Sequence, residues 1–328
     1  MSLTPYSFWK NRPVLITGGA GFIGSHLVRK LLEMKAQVVT LDLKTSSPIL
    51  SELNKKTKII KGNILNQSLI GKLLRKYRID TIFHLAAQTE VGIANKNPYP
   101  TLETNIRGTF NVLEAVRQVK TVSRLVFSSS DKAYGCQRKL PYVEEMPLLG
   151  RNPYDASKAY ADWLCQAYFK MFQVPVCITR CGNVYGPGDL HFSRLIPDTI
   201  RSVIFNKRLF IRSNGKYLRD YVYVDDIIDG HLLLAQEMEK KETLGQAFNL
   251  GTGKPYAVID VVKKILNSMT KKNLRPQILN IASGEIEKQS LCSTEAEKIL
   301  GWKPQITLDE GLRKTIAWYT DYFMKLGT

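Results

Sequence analysis

The stretch PVLITGGAGFIGSHL, Pro13 to Leu27, constrains this chain more than any other. A short apolar run ends in glycines, and apolar residues at helical spacing, Ile23, Leu27 and Leu31, begin at once. Gly18, Gly21 and Gly24 recur at every third position. In a strand–turn–helix unit the first such glycine permits a tight turn. The second lets the backbone approach a pyrophosphate at the helix N-terminus, and the third lets helix and strand pack closely. Glycines also serve ordinary turns, so the flanking context decides. A second apolar run, Gln37–Asp42, ends in an acid at the distance expected for a carboxylate that holds an adenosine ribose. The pattern predicts a dinucleotide cradle with Phe22 and Ile23 inside it and Leu43 beside Asp42. An acid at Asp42 repels a 2′-phosphate and so favours NAD, while the nearby Lys44 leaves NADP open.

Further short apolar runs follow at Lys58–Ile64, Thr81–Ala87, Arg124–Ser130 and Val176–Gly182, with helical patterns between several of them. Continuous apolar strands separated by helices predict an α/β fold with a Rossmann-type, doubly wound parallel sheet. Crossover helices are expected at about 101–119 and 155–172. After residue 182 the texture changes, with Gly and Pro clustered in GNVYGPGD. Residues 1–182 are therefore expected to form the dinucleotide domain and 183–328 a smaller, interleaved substrate domain. A strand near 245–253 is expected to return to the main sheet.

Tyr154 and Lys158 stand four apart in YDASK, which places both on one face of a helix. An adjacent ammonium stabilises a phenolate and is expected to pull the tyrosine pKa toward the working range. Such a phenol takes the proton from an alcohol whose carbon is being oxidised. Upstream, SSSDKAYG ends a strand with Ser128, Ser129, Ser130, Asp131 and Lys132. Two readings of that end stay open. One is a catalytic edge; the other is a capped turn in which Asp131 accepts backbone N–H bonds and Lys132 faces water.

The motifs TGGAGFIG, HLAA, SSSDKAYG, YDASK, RCGNVYGPGD, RDYVYVDD, FNLGTG and LGWKP occur in one order over about residues 12–320. In that order the chain resembles the extended short-chain dehydrogenases/reductases, the NAD-dependent nucleotide-sugar epimerases and dehydratases. The resemblance implies that Tyr154 is the base and Lys158 its helper, also bonded to the nicotinamide ribose. It implies that Ser130 bonds the substrate 4-hydroxyl. Asn63 and Ile64 match the adenine-contacting Gly-Asp-Ile, with Asn in place of Asp. Leu85, Ala86, Ala87 and Gln88 would lie along the cofactor with Ser128, and Asn105 near the active site. Asn183 and Arg219 would hold the substrate's diphosphate or sugar. Many relatives carry an Arg before a Gly-Asp or Gly-Glu. Here Ala282 and Ser283 precede Gly284 and Glu285, so a second phosphate clamp is either missing or supplied from elsewhere, with Arg194 the candidate and Glu285 a further substrate contact.

The same resemblance leaves two reactions. Both start with oxidation at C4 of a nucleotide-linked hexose. A 4-epimerase then turns the sugar; a 4,6-dehydratase loses water across C5 and C6. Only the second needs an additional acid after the serine, and Asp131 stands there. Relatives acting on dTDP-glucose carry Asp-Glu at this point, whereas Asp-Lys is similar to the dehydratases acting on CDP-glucose and to some acting on UDP-N-acetylglucosamine. Lys132 is then a candidate base at C5 or a phosphate contact. The dehydratase is the favoured reading. The runner-up is a UDP-sugar 4-epimerase, followed by UDP-glucuronate decarboxylase and a non-catalytic cofactor- or RNA-binding member of the fold.

The net charge of +18 permits anionic ligands, but its lysines are scattered and no basic helix is interleaved with aromatics, so nucleic acid is not the expected partner. Four histidines show no metal-ligand spacing, and no metal is expected. There is no signal-peptide layout and no apolar run of membrane length, and five cysteines show no paired spacing. A cytoplasmic protein is expected. The two long helices are expected to pair across a two-fold axis, as in family homodimers.

Overall fold

A computed structural model describes residues 6–53, 57–271, 274–282 and 284–327. The first half builds β1 (Pro13–Thr17), α1 (Phe22–Glu33), β2 (Gln37–Asp42), β3 (Lys58–Lys61), α2 (Gln67–Lys76) and β4 (Thr81–His84). It continues through α3 (Gly108–Val119), β5 (Arg124–Ser130), α4 (Pro153–Phe172) and β6 (Val176–Cys181). The second half supplies β7 (Asn183–Tyr185), α5 (Leu195–Ile204), β8 (Leu218–Tyr223), α6 (Val224–Glu237), β9 (Ala247–Leu250), β10 (Pro255–Ala257), α7 (Val258–Ser268) and α8 (Leu308–Lys325).

Seven parallel strands form one sheet in the order β9-β6-β5-β4-β1-β2-β3. Their side chains alternate between two cores, as the strand period requires. Val14 and Ile16 of β1 face a core shared with α1, α6 and α8, whereas Leu15 faces one shared with α2, α3 and α4. Strands buried on both faces explain the continuous apolar runs in the sequence. Strand β9, from the second half, lies at the sheet edge beside β6.

Two strands end sooner than their apolar runs. Strand β3 stops at Lys61, where the Gly62 N–H bonds Asp42 O and Asn63 closes a turn through its side chain onto the Leu65 N–H at 2.9 Å. Strand β4 stops at His84. The expected helix at 101–119 starts earlier, at Pro98, and passes through a wide π turn at Glu103–Arg107 before α3. Such turns frequently sit at functional sites, and this one carries Asn105.

A smaller three-stranded sheet, ordered β10-β8-β7, is built wholly from the second half. Residues 287–292 thread between β8 and Tyr142. The Leu218 N–H bonds Glu287 O at 2.8 Å, the Gln289 N–H bonds Leu218 O at 3.1 Å, and the Cys292 N–H bonds Tyr142 O at 2.8 Å. Among the described residues, no helix is long and apolar enough to cross a membrane, and no group of three or more metal-ligating side chains occurs.

Candidate active site

The glycines of the first turn are required by space. Gly18 has φ +76°, and a Cβ there would lie 2.6 Å from Ala86 N. A Cβ at Gly24 would lie 2.1 Å from Gly18 O. Gly21 precedes α1, whose N-terminus has no side-chain cap, so its first N–H groups remain donors. Asp42 ends β2 beside them and accepts the Ala20 N–H at 2.9 Å and the Lys44 N–H at 3.0 Å. Leu43 is exposed. Backbone donors at an uncapped helix start, with a carboxylate at the next strand end, fit a dinucleotide.

The residues expected along that ligand divide into two kinds. Leu85 to Gln88 leave the end of β4, with the Ala86 N–H on Thr17 Oγ1. Asn105 holds this segment in place: its Oδ1 accepts the Gln88 N–H, and its Nδ2 donates to Gln88 O and to Ser157 Oγ. Its amide is thus engaged with protein. Ile64 is buried against Gly108, where a Cβ would come 2.4 Å from Ile64 Cδ1, so its side chain supports the wall from behind. Asn63 is exposed and serves the turn after β3.

The catalytic candidates meet where β5 ends. Ser130 caps a 3₁₀ turn (Asp131–Tyr134), its Oγ accepting the Lys132 N–H at 3.3 Å. The turn is anchored by a buried chain: Arg180 bonds Asp162 of α4 and Tyr134 Oη, and Tyr134 Oη donates to Asn249 on β9. Asp131 is 2% exposed. Its partners are side chains and not the backbone donors of a capped turn: Oδ1 meets Ser130 Oγ at 3.1 Å and Oδ2 meets Gln289 Nε2 at 3.0 Å. Burial raises its pKa, only partly offset by Lys132, Ser130 and Arg219. Lys132 does not turn to water; its Nζ donates to Gln289 Oε1 at 3.0 Å.

Tyr154 and Lys158 lie buried on α4, and Tyr154 stands beside Ser130. The expected fall in the tyrosine pKa is not found. Burial drives the phenol upward, and Arg194 is the main group opposing it. Lys158 Nζ donates to Ser128 O at 2.8 Å, and burial pushes its pKa down to about 8. The lysine therefore ties α4 to β5 and is itself only weakly held as a cation.

On the substrate side, Arg219 donates to Leu218 O and Glu287 O and pairs with Glu285 at 3.5 Å. Arg194 pairs with Asp189 at 2.9 Å and reaches Thr89. Asn183 Nδ2 is buried without a hydrogen-bond partner, a donor suited to a ligand oxygen. Ser283, expected to mark a missing arginine, lies outside the described residues.

Three residues of this region escaped the sequence reading. Gln289 is fully buried between Asp131 and Lys132. Asp155 is buried beside them, its pKa raised by burial to about 6 against the pull of Lys132. Asp220 accepts the Thr252, Gly253 and Leu291 N–H groups and pins the strand that carries Arg219. The acid at Asp155 stands inside YDASK and was visible there; Gln289 has no motif around it.

The family profile described as GDP-mannose 4,6 dehydratase matches residues 15–315. The chain belongs to this family. The dTDP-D-glucose 4,6-dehydratase of Homo sapiens is 30% identical over 322 residues, covering 94% of this chain and 90% of that protein. A solved dTDP-glucose 4,6-dehydratase from Streptomyces venezuelae, with NAD bound, is 30% identical, covers 94% of this chain and 97% of its own, and has a TM-score of 0.85. A solved epimerase from Methanothermobacter thermautotrophicus reaches a TM-score of 0.90 at 28% identity, covering 98% of this chain and 96% of its own. A dehydratase and an epimerase both superpose on this chain, so the backbone alone does not choose between the two reactions.

Proposed function

We propose that this family member is an NAD-dependent nucleotide-hexose 4,6-dehydratase working through a 4-keto intermediate. The observation that carries the reading is Asp131: a buried carboxyl with a raised pKa beside Ser130, at a position where a simple epimerase needs no acid. NAD, held by the glycine cradle and Asp42, supplies the reversible redox chemistry at C4 and C6 when bound.

The chain's own groups handle protons and orientation. Ser130 and Tyr154 hold the 4-oxygen, and Tyr154 takes its proton. Burial disfavours the phenolate, and the positive charge of Arg194 opposes that cost. Lys132 donates to Gln289 in the ligand-free chain and, once it has lost a proton, would take the C5 proton as a free amine. Asp131, whose pKa burial raises, gives its proton to the departing 6-oxygen, and water leaves. A neutral acid at working pH is what such a transfer requires. Arg219 suits the diphosphate through its fork of donors, and Asn183 Nδ2 offers a further buried, unpaired donor. Asp131-Lys132 in place of Asp-Glu makes CDP-glucose the first substrate to try.

The test is a panel of CDP-, dTDP-, GDP- and UDP-hexoses read by product mass. Loss of one water is expected for at least one of them. Unchanged mass with an altered C4 configuration would replace the dehydratase by the epimerase.

Exposed aromatics on α3 and α4, Phe110, Tyr160, Trp163 and Phe172, support a homodimer through these helices. Trp163→Glu should then shift the chain to monomer in size-exclusion chromatography. Five free cysteines suit a reducing cytoplasm.

A further inference from the structure

Gln289 hangs from the segment beside β8 and reaches across to the end of β5. Both ends of its amide are engaged: Nε2 donates to Asp131 Oδ2 and Oε1 accepts from Lys132 Nζ, each at 3.0 Å. The direction of that amide is chemically forced. An ammonium only donates, so the carbonyl end must face Lys132. The NH2 end then faces Asp131, and it too only donates. An amide N–H is accepted by a carboxylate or by the carbonyl oxygen of a neutral acid, and when Asp131 is neutral this contact at Oδ2 leaves the hydroxyl proton to Oδ1. Ser130 Oγ donates to Oδ1 at 3.1 Å, and Tyr154 stands beside Ser130.

We propose that Gln289 is a positioning residue for the elimination: it holds the acid proton of Asp131 on Oδ1, on the Ser130 side, and fixes Lys132 beside it. This rests on the 4,6-dehydratase reading. The same segment also receives Arg219, which donates to Glu287 O and pairs with Glu285. The acid and the proposed diphosphate contact therefore hang on one strand, two residues apart. Other charged and titratable groups around Asp131 are Lys132, Arg219, Asp220, Asp155, Tyr154, Tyr142 and Cys181. Among the described residues, the structure shows only Ser130 and Gln289 hydrogen-bonded to the carboxyl itself.

The test uses full-length enzyme with NAD and the best nucleotide hexose of the panel. Gln289→Ala removes the bridge. Gln289→Glu keeps its shape but turns an acceptor toward Asp131. In both variants water loss should fall about 100-fold, the cost of a misplaced reacting group, with KM changed by less than about 2-fold, the signature of an interaction made only in the transition state. C4 oxidation, read as NADH absorbance in a single turnover, should persist. In both variants Asp131 loses an N–H donor that favours its anion, and Gln289→Glu also adds a like charge. The basic limb of the water-loss profile should therefore move to higher pH. Infrared difference spectra of the ligand-free protein supply a second readout. The neutral-carboxyl band that disappears in Asp131→Asn should shift in Gln289→Glu.

Wild-type water loss with an unmoved pH profile in the Gln289 variants, while Asp131→Asn stalls elimination, overturns this proposal alone. Equal loss of C4 oxidation and elimination in the Gln289 variants makes the residue merely structural and also overturns it. Wild-type water loss in Asp131→Asn removes Asp131 from the mechanism and overturns this proposal with it, whereas unchanged product mass with an altered C4 configuration across the panel sinks the dehydratase reading itself. Should Gln289→Ala fail to fold, the isosteric Gln289→Glu decides.

Discussion

Asp42 and Asp131 both stand at the carboxyl ends of strands in one parallel sheet, yet they are built for opposite purposes. Asp42 touches solvent and accepts two backbone N–H bonds from its own neighbourhood, Ala20 and Lys44. Asp131 is buried, and its two oxygens meet side chains, one adjacent and one 158 residues away. The dinucleotide end of the sheet is therefore made from backbone and from local sequence. The reacting end is made from side chains delivered by distant segments. A carboxylate held by backbone donors suits a fixed contact with a ribose. A carboxyl deprived of water suits a proton donor. The two ends should respond differently to substitution.

The largest effect is expected from breaking the backbone end. Gly24→Val would set a Cβ 2.1 Å from Gly18 O, a clash with backbone that no rotamer relieves. Overpacking of this kind costs about 1–3 kcal/mol or more. The tight helix–strand approach would open, and NAD binding should fall below detection by titration calorimetry. Retained binding would mean that the cradle is looser than its geometry.

Next in size is a change at the reacting end that leaves the cradle alone. Tyr154→Phe should lower turnover by about 10²–10⁴-fold, the worth of a positioned acid–base group, while NAD affinity stays close to wild type. An equal loss of NAD affinity would show that the phenol's role is to build the dinucleotide site.

The same contrast explains what could be read from the sequence. The cradle was legible because its requirements are local: three glycines, a preceding strand, a following helix and an acid one strand later. Tyr154 and Lys158 were legible because a helix fixes their spacing. Gln289 was not, because its role depends on a segment threaded between β8 and Tyr142, and no local pattern encodes that path. The tyrosine's electrostatics were misjudged for a related reason. Spacing on a helix says that Lys158 is near, but not that its ammonium is bound to Ser128 O or that burial outweighs it. Strands β3 and β4 were drawn too long because apolar residues continue past the sheet into the turns that bound the site.

A smaller effect concerns stability and has a defined sign. The folded-state pKa of Asp155 is raised to about 6 by burial. The native state thus binds a proton that the unfolded chain, with a carboxyl near about 3.9, has already lost. Stability should fall as pH rises from about 4 to about 6 and stay reduced above that. Asp155→Asn removes this penalty. It should stabilise the protein by about 1–3 kcal/mol at pH 7, with the gain vanishing toward pH 4. Thermal melts of both proteins across that range measure it. A pH-independent difference would mean that the Asp155 carboxyl is better solvated than its 4% exposure indicates.

The smallest effect separates a turn from a ligand contact at the dinucleotide end. Asn63 Oδ1 accepts the Leu65 N–H, and an aspartate at this position can accept the same bond. Asn63→Asp should leave NAD affinity within about 2-fold, since the acceptor is retained. Asn63→Ala removes a single exposed hydrogen bond and should cost about 0.5–1.5 kcal/mol of stability. If Asn63 only closes the turn after β3, NAD affinity in Asn63→Ala should drop no more than the loosened turn demands, a few-fold by calorimetry. If the side chain also receives the adenine amino group, affinity should fall further than stability, and Asn63→Asp should restore it. A loss of affinity out of proportion to the change in melting temperature would therefore move Asn63 from the frame of the cradle to its lining.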